Sequence, residues 1–188
     1  MRITAYTSSS DAVGGRYRAA AEAFGTAVGA RGDELVYGGT AVGLMGVVSC
    51  AVRDAGGRVT GVVPQLMVDR GLGDERCDEL VVTADMAGRK QEMIGRADAF
   101  VALPGGFGTL EELLEVLTLK QLGYHRKPIV MLDVDGFWQP LLAFCEHLFA
   151  ADFAKREYAQ LYAVLPDPAA VLGYLDSYEP GELPTKWL

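Results

Sequence analysis

A glycine-rich turn between an apolar segment and an amphipathic one most constrains the fold of this chain. Ala99 to Leu103 is short and apolar throughout, which is typical of a buried parallel strand. The turn PGGFGT follows at Pro104 to Thr109, and from Leu110 the apolar residues recur at helical spacing. Glycine allows a sharp turn and a close approach of a ligand to the backbone. Because the first N–H groups of a helix lack intrahelical partners and lie at its positive end, the turn predicts an anion site, usually for phosphate.

Two other interpretations of this turn compete with the phosphate site. Gly106 and Gly108 match the opening of a dinucleotide-binding fingerprint, but Glu111 occupies the position of its third glycine, which disfavours NAD. Thr109 and Glu112 also have the spacing of a capping box, with Thr109 as N-cap and Glu112 as the third helical residue. In that interpretation both side chains only stabilise the start of the helix.

The helix after the turn has apolar side chains on two sides. One face carries four leucines, Leu110, Leu113, Leu114 and Leu117. Glu112 lies roughly opposite them, beside Val116 and Leu119. One side can pack on the sheet, so the other needs a second cover, from this chain or from a second subunit. Burial would raise the pKa of Glu112 and a nearby cation would lower it, which is how a catalytic acid or base is tuned.

Strands and helices alternate along the rest of the chain. This order predicts a single Rossmann-like α/β domain with an open parallel sheet and helices on both faces. The predicted strands are Arg2 to Tyr6, Glu34 to Tyr37, Arg58 to Val63, Glu79 to Thr83, Ala99 to Leu103, Pro128 to Asp133 and Tyr162 to Leu165. The predicted helices include Gly15 to Ala30, Met86 to Arg96, Phe137 to Ala150 and Pro168 to Tyr174. The domain is expected to span residues 1–177, followed by an irregular tail at 178–188.

A second glycine-rich turn and a hydroxyl cluster are expected at one edge of this sheet. Gly38 to Gly46 joins the second predicted strand to a helix that runs to about Ala55, and Thr7 to Ser10 follows the first strand. Ligands of open α/β sheets bind at the carboxyl ends of the strands, where the strand order reverses. The two turns therefore predict two parts of one nucleotide site. Alternatively, the glycines only allow tight helix–strand packing and the hydroxyls only cap helices.

A basic pair lies on the helix predicted from Met86 to Arg96. Met86, Arg89, Lys90 and Met93 share one face of it. Arginine is suited to bidentate contact with phosphate or carboxylate, so this face is a candidate part of the anion site. The competing interpretation is an exposed basic pair whose stems cover core methionines.

Charge and cysteine content disfavour several classes of function. The net charge is −8 without a basic run, so neither nucleic acid nor a membrane surface is an expected partner. The three cysteines are scattered and lack C-x-x-C spacing, as is typical of free thiols in a reducing cytoplasm. His125 and His147 have no ligand-like neighbours, so no metal site is expected. Neither a signal peptide nor a membrane span is expected.

Several motifs resemble the Lonely Guy family of cytokinin riboside 5′-monophosphate phosphoribohydrolases. They are Tyr37-Gly38-Gly39, Gly43-Leu44-Met45-Gly46, Arg89-Lys90-x-x-Met93 and Pro104-Gly105-Gly106-Phe107-Gly108-Thr109-x-x-Glu112. The family hydrolyses the N-glycosidic bond of N6-modified adenosine 5′-monophosphates to the free cytokinin base and ribose 5-phosphate. The resemblance therefore implies a hydrolase that needs no cofactor and works as a homodimer, with its site near the subunit interface.

The resemblance also implies roles for individual residues. Arg89 and Glu112 correspond to the catalytic pair. Glu112 would stabilise an oxocarbenium-like ribose or activate water, and Arg89 would bind phosphate or ribose and keep Glu112 ionised. The substrate-binding candidates, from the resemblance and from the two turns, are Ser9, Gly39, Thr40, Met86, Lys90, Gly105, Gly106, Phe107, Gly108, Thr109 and Thr118.

Departures from the family pattern leave the exact substrate open. They fall at Thr7, Ser8, Thr40, Gly71, Ala87 and Leu119, where the family usually has cysteine, glycine, glycine, glutamate, histidine and tryptophan. Three alternatives therefore stand beside the cytokinin hydrolase: a nucleosidase for plain AMP, a non-catalytic carrier of a phosphorylated pterin (the molybdenum cofactor), and a nucleotide sensor. Some relatives are labelled lysine decarboxylases, but no cofactor-binding lysine motif is visible here.

Overall fold

The strands occupy the predicted segments, and none of their ends differs from the prediction by more than one residue. The structure is a computed structural model and describes residues 1–182. Its strands are β1 Arg2–Tyr6, β2 Glu34–Tyr37, β3 Arg58–Pro64, β4 Glu79–Thr83, β5 Ala99–Ala102, β6 Ile129–Leu132 and β7 Ala163–Leu165. They form one parallel sheet in the order β4-β3-β2-β1-β5-β6-β7. The short apolar runs of β5 and β6 are buried throughout, as strands covered on both faces must be.

Helices cover both faces of the sheet, which confirms the predicted Rossmann-like α/β class. The helices are α1 Gly15–Ala30, α2 Gly43–Asp54, α3 Gln65–Val68, α4 Met86–Arg96, α5 Phe107–Gln121, α6 Gln139–Ala150 and α7 Pro168–Ser177. One face is covered by α1, α2 and α7 around Phe24 and Leu44, and the other by α4, α5 and α6 around Met93 and Leu113. A 3₁₀ helix at Arg156–Leu161 was not predicted, because so short an element has no repeating apolar pattern.

The strand order reverses between β1 and β5. The chain runs outward from β1 through β2 and β3 to β4, and then returns to β5 on the other side of β1. Tyr6 pairs with Ala102, so the segments that follow these two residues leave the sheet side by side. The Thr7 hydroxyl donates a hydrogen bond to the carbonyl of Pro104 at 3.2 Å and joins them. The hydroxyl cluster and the glycine-rich turn therefore meet at the edge where such sheets bind ligands.

The start of α5 corrects two expectations. The helix begins at Phe107 rather than Leu110, and its N-cap is Gly106, which provides no side-chain hydrogen bond. Thr109 is thus the third helical residue, and the capping-box interpretation with Thr109 as N-cap is wrong. Thr109 instead packs against Gly105, where any Cβ would overlap the Thr109 side chain. The small residue at Gly105 is needed for this tight turn.

The side of α5 that carries Glu112 faces the interior. Its buried residues are Thr109, Glu112, Leu113, Val116 and Lys120. Leu114 is 46% exposed, and Leu110 and Leu117 are partly exposed. The helical spacing correctly predicts two apolar sides but assigns Leu113 to the wrong one, since Leu113 is buried with Glu112 and Val116. Only the structure shows that the glutamate side meets the sheet and that the remaining leucines lack full cover.

The last helix ends at Ser177, and residues 178–182 that follow it are irregular. The Tyr178 hydroxyl donates a hydrogen bond to the carbonyl of Arg126 at 2.9 Å. The rest of the predicted tail, residues 183–188, lies outside the described part of the chain. Within residues 1–182, none of the helices combines the length and the apolar character needed to cross a membrane.

Candidate active site

A cleft of about 600 Å³ opens at the carboxyl edge of the sheet, over the junction of β1 and β5. One side is polar and is formed by the segment after β1, the start of α5 and the Arg89 side chain. The other side is largely apolar. The lining residues are Thr7, Ser8, Ser9, Ser10, Asp11, Gly38, Thr40, Val42, Met45, Met67, Leu72, Met86, Arg89, Gly106, Phe107, Gly108, Thr109, Glu111 and Glu112. A cleft with both characters suits an amphipathic ligand such as a nucleotide with an apolar substituent.

A buried ion pair lies at the base of the cleft. Arg89 of α4 donates from Nη1 to Oε1 of Glu112 at 2.6 Å, and from Nε to the carbonyl of Val62 at 3.1 Å. Both side chains are about one-tenth exposed. Asp85 caps α4 by accepting a hydrogen bond from the N–H of Gly88 at 2.8 Å, which fixes the first turn and with it Arg89. The pair is therefore held from two helices and one strand.

The environment of Glu112 changes the pKa of its carboxyl group. Burial raises the pKa of Glu112 above its ordinary value, and the attraction and hydrogen bond of Arg89 offset this only in part. A carboxylate with a raised pKa beside an arginine is the type of group that accepts or supplies a proton near neutral pH. Its Oε1 is engaged by Arg89, and the residue still lines the cleft, so it can act on a bound molecule.

The two glycine-rich turns differ in what their helix N-termini can bind. At α2, the N–H of Gly43 donates to Asp11 at 3.0 Å, and the N–H groups of Leu44 and Met45 donate to the carbonyl of Ser8. Those donors are satisfied within the chain and are not available to an anion, but the second turn still lines the cleft through Gly38 and Thr40. Within residues 1–182, the first N–H groups of α5, at Phe107 to Thr109, have no protein acceptor. Of these two helix starts, only that of α5 therefore has N–H groups available for the predicted anion.

Nine of the predicted site residues line the cleft and four do not. Those in the cleft are Ser9, Thr40, Met86, Arg89, Gly106, Phe107, Gly108, Thr109 and Glu112. Gly105 lies behind the turn against Thr109, and Gly39 packs against Val62 of β3. Lys90 forms ion pairs with Glu111 and Glu115, and the exposed Thr118 donates to the carbonyl of Leu114. Gly39, Lys90 and Gly105 thus pack against neighbouring parts of the chain, whereas Thr118 is bound within its own helix.

The sequence interpretation missed several residues of the cleft. The polar ones are Thr7, Ser8, Ser10, Asp11 and Glu111, and the others are Gly38, Val42, Met45, Met67 and Leu72. Ser8 and Ser10 belong to the hydroxyl cluster that the sequence did indicate, whereas Met67 and Leu72 follow β3 in a segment without a motif. Only the fold brings that segment to the cleft. Within residues 1–182, no group of three or more His, Cys, Asp or Glu side chains is placed to hold a metal ion.

Known proteins are similar to this chain over most of its length. A family profile described as "possible lysine decarboxylase" matches residues 45–175. A probable cytokinin riboside 5′-monophosphate phosphoribohydrolase of Oryza sativa subsp. japonica is 41% identical, over 95% of this chain and 73% of the rice protein. A cytokinin riboside 5′-monophosphate phosphoribohydrolase of Arabidopsis thaliana is 43% identical, over 95% of this chain and 82% of the Arabidopsis protein.

Solved structures share the architecture at lower sequence identity. The molybdenum cofactor binding protein of the phototrophic bacterium Rippkaea orientalis superimposes with a TM-score of 0.73 at 20% identity, covering 94% of this chain and 95% of that one. The Moco carrier protein of Chlamydomonas reinhardtii gives a TM-score of 0.70 at 21% identity, covering 93% of this chain and 94% of that one. Similarity at this level shows a common fold and does not extend to the ligand.

Proposed function

Because this chain belongs to the Lonely Guy family of cytokinin riboside 5′-monophosphate phosphoribohydrolases, we propose that Arg89 and Glu112 form its catalytic pair. The reaction is hydrolysis of the N-glycosidic bond of an N6-modified adenosine 5′-monophosphate, giving the free base and ribose 5-phosphate. The observation that carries the assignment is the buried Arg89–Glu112 ion pair in the same cleft as the open N-terminus of α5.

The two sides of the cleft suggest how the nucleotide lies. We expect the 5′-phosphate at the N-terminus of α5, where the N–H groups of Phe107, Gly108 and Thr109 are available and the helix dipole favours an anion. Ser9, in the segment after β1 on the same polar side, also lines the cleft and adds a hydroxyl donor. The base and its substituent would then lie against the apolar side, which includes Met45 and Leu72. Binding energy from the phosphate orients the sugar, although the phosphate takes no part in bond cleavage.

The chemistry follows from this orientation. As the bond between C1′ and N9 breaks, its electron pair leaves with the purine and positive charge develops on the ribose. The ionised carboxylate of Glu112 stabilises that charge and accepts a proton from the water that adds to C1′. Arg89 keeps Glu112 ionised against the effect of burial and fixes its position.

The 5′-phosphate and the N6 substituent can be tested separately by measuring released base chromatographically. The substrates are N6-isopentenyladenosine 5′-monophosphate, its dephosphorylated riboside, and AMP. We expect kcat/KM for the riboside to be lower by at least about 100-fold, since several charge-assisted hydrogen bonds at about 1.5–3 kcal/mol each are lost. We expect a smaller loss for AMP, which retains the phosphate and lacks only apolar contact.

The other two outcomes of this assay would each favour a different function. Release mainly from AMP would make the protein a general nucleoside monophosphate nucleosidase. Tight binding of the monophosphate without release of base would contradict the hydrolase and favour a carrier or a sensor.

We also propose that the chain works as a homodimer in which the leucine side of α5 is covered by a second copy. Leu114 is 46% exposed beside the partly exposed Leu110 and Leu117, and Phe107 is 92% exposed at the rim of the cleft. Lys90 and Thr118, which lie outside the cleft of one chain, are close to this surface through their contacts with Glu111 and Leu114. A partner placed there would therefore border the active site.

The dimer predicts a mass in light scattering of twice that of the 20.2-kDa chain. Leu114→Arg should reduce it to one chain, because a buried unpaired charge opposes association. Ala19→Arg is the matched control, since Ala19 is exposed on α1 on the other face of the sheet. A wild-type protein with the mass of a single chain would overturn the proposal.

A further inference from the structure

Asp74 is a buried carboxylate behind the nucleotide cleft that does not line the cleft itself. It lies between α3 and β4, and its side chain is 1% exposed. Its carboxylate accepts hydrogen bonds from the Tyr37 hydroxyl at 2.9 Å, from Nε of Arg76 at 2.9 Å and from Nη1 of Arg53 at 3.4 Å. A buried carboxylate with donors from β2, from α2 and from its own loop ties these segments together, and its removal leaves the donors unsatisfied.

The backbone at Asp74 is bound to the second glycine-rich turn. The N–H of Asp74 donates to the carbonyl of Gly39 at 2.8 Å, and the preceding residue, Gly73, forms an antiparallel bridge with Thr40. Tyr37 is the last residue of β2 and leads directly into the same turn. The carboxylate of Asp74 therefore binds Tyr37, the residue directly before the turn from Gly38 to Thr40. The backbone of Asp74 binds Gly39 in the middle of that turn.

The turn from Gly38 to Thr40 limits where the side chain of Arg89 can lie. A Cβ on Gly38 would overlap Nη2 of Arg89 and would lie 2.8 Å from Sδ of Met45. The backbone of Gly38 thus packs directly on the guanidinium that binds Glu112. Both Gly38 and Thr40 also line the cleft. A displacement of this turn would move one wall of the nucleotide site and change the space available to Arg89.

We propose that Asp74 is a positioning residue of the nucleotide site, which fixes the turn from Gly38 to Thr40 against Arg89. This role rests on the function proposed above, because it is the nucleotide that the turn and Arg89 would bind. Asp74 does not touch the cleft, so its effect reaches the nucleotide through Tyr37 and Gly39.

The charge of Asp74 suits this role. Burial alone would raise its pKa, but the hydrogen bonds from Arg76 and Tyr37 outweigh that effect and leave the pKa of Asp74 below its ordinary value. The carboxylate therefore stays ionised at neutral and mildly acidic pH, and its bonds to the arginines remain charge-assisted.

The test is Asp74→Asn, which keeps the shape of the side chain and removes the charge. The matched control is Asp33→Asn. Asp33 is also a buried carboxylate, bound by the amino terminus at 2.6 Å and by Nε of Arg31 at 2.9 Å, but it precedes β2 at the opposite end of the strand. Both variants should lower the melting temperature. Only Asp74→Asn should raise KM and the Kd for AMP, by about tenfold, with kcat changed less than about threefold.

Tyr37→Phe provides a milder second variant in case Asp74→Asn does not fold. It removes only the hydroxyl that donates to Asp74, so it should raise the Kd for AMP in the same direction, and less than additively when combined with Asp74→Asn. An unchanged Kd and KM in both variants, together with a stability loss like that of Asp33→Asn, would overturn the proposal. The calorimetric Kd values are measured in the Glu112→Gln background, in which turnover of AMP is expected to be negligible. A wild-type protein that binds AMP and releases no base would refute the proposed hydrolase. The role of Asp74 would then still be decided by whether Asp74→Asn raises the Kd for AMP.

Discussion

Glu112→Gln is expected to lower kcat for base release by about 10³-fold or more, with the Kd for the monophosphate changed by less than about threefold. Glutamine has nearly the same shape and can still accept a hydrogen bond from Arg89, so the cleft should remain intact. It carries no charge to stabilise the developing cation and cannot accept a proton from water. Each of these contributions is worth about 10² to 10⁴ in rate. The measurement is single-turnover release of base, combined with calorimetric binding.

Glu115→Gln is the matched control for this experiment. Glu115 lies one turn further along α5, forms an ion pair with Lys90 at 3.2 Å, and does not line the cleft. Its substitution should leave kcat within about twofold, because an ion pair of this exposure contributes little. If Glu112→Gln retained turnover like that of Glu115→Gln, Glu112 would be a structural residue of α5 and the catalytic assignment would fall.

The second large effect is expected for Arg89→Met, which leaves Glu112 buried without its cation. Removal of one member of a buried ion pair costs about 3–5 kcal/mol of folding free energy, and the pair is about one-tenth exposed, so we expect the lower end, about 3 kcal/mol. Activity should fall below detection, since the variant also loses the phosphate or ribose contact. Urea unfolding at neutral pH measures the stability loss.

The stability of Arg89→Met should depend on pH in a defined direction. The pKa of Glu112 is already raised by burial, and loss of Arg89 raises it further. A buried acid whose pKa is raised in the folded state lowers the free energy of unfolding only at pH values where it would ionise in the unfolded chain. The penalty is therefore absent at pH values below the ordinary pKa of glutamic acid and grows as the pH rises through the raised pKa.

The double variant Arg89→Met/Glu112→Gln checks this explanation of the pH dependence. It should regain much of the stability at neutral pH, because no buried charge remains, but none of the activity. A stability loss in Arg89→Met that is equal at acidic and neutral pH would show that the cost arises from lost packing and not from the unpaired carboxylate.

Much of the candidate site is readable from local sequence, because its key parts are contiguous. The turn from Pro104 to Thr109 connects a buried strand to a helix, so its glycines predict an anion site by spacing alone. The order of strands and helices likewise predicts the doubly covered parallel sheet, because parallel strands need helical crossovers. The error at the helix start has a local cause. Thr109 matches the N-cap preference, but Gly105 and Gly106 allow the chain to enter the helix earlier.

Sequence alone determined the fold class and the glycine-rich turn, since these depend on local periodicity. The resemblance to the family also pointed to Arg89 and Glu112, which form an ion pair in the structure and whose catalytic roles stay a prediction. Only the tertiary structure decided which side of α5 is buried and that α2 has no free N-terminal donors, because Asp11 and Ser8 reach α2 across the sheet edge. It also placed Asp74 behind the turn at Gly38, 36 residues away along the chain. Such contacts depend on the order of the parallel strands in the sheet. The same local sequence pattern is compatible with several strand orders, so only the packing of the whole chain determines which residues meet.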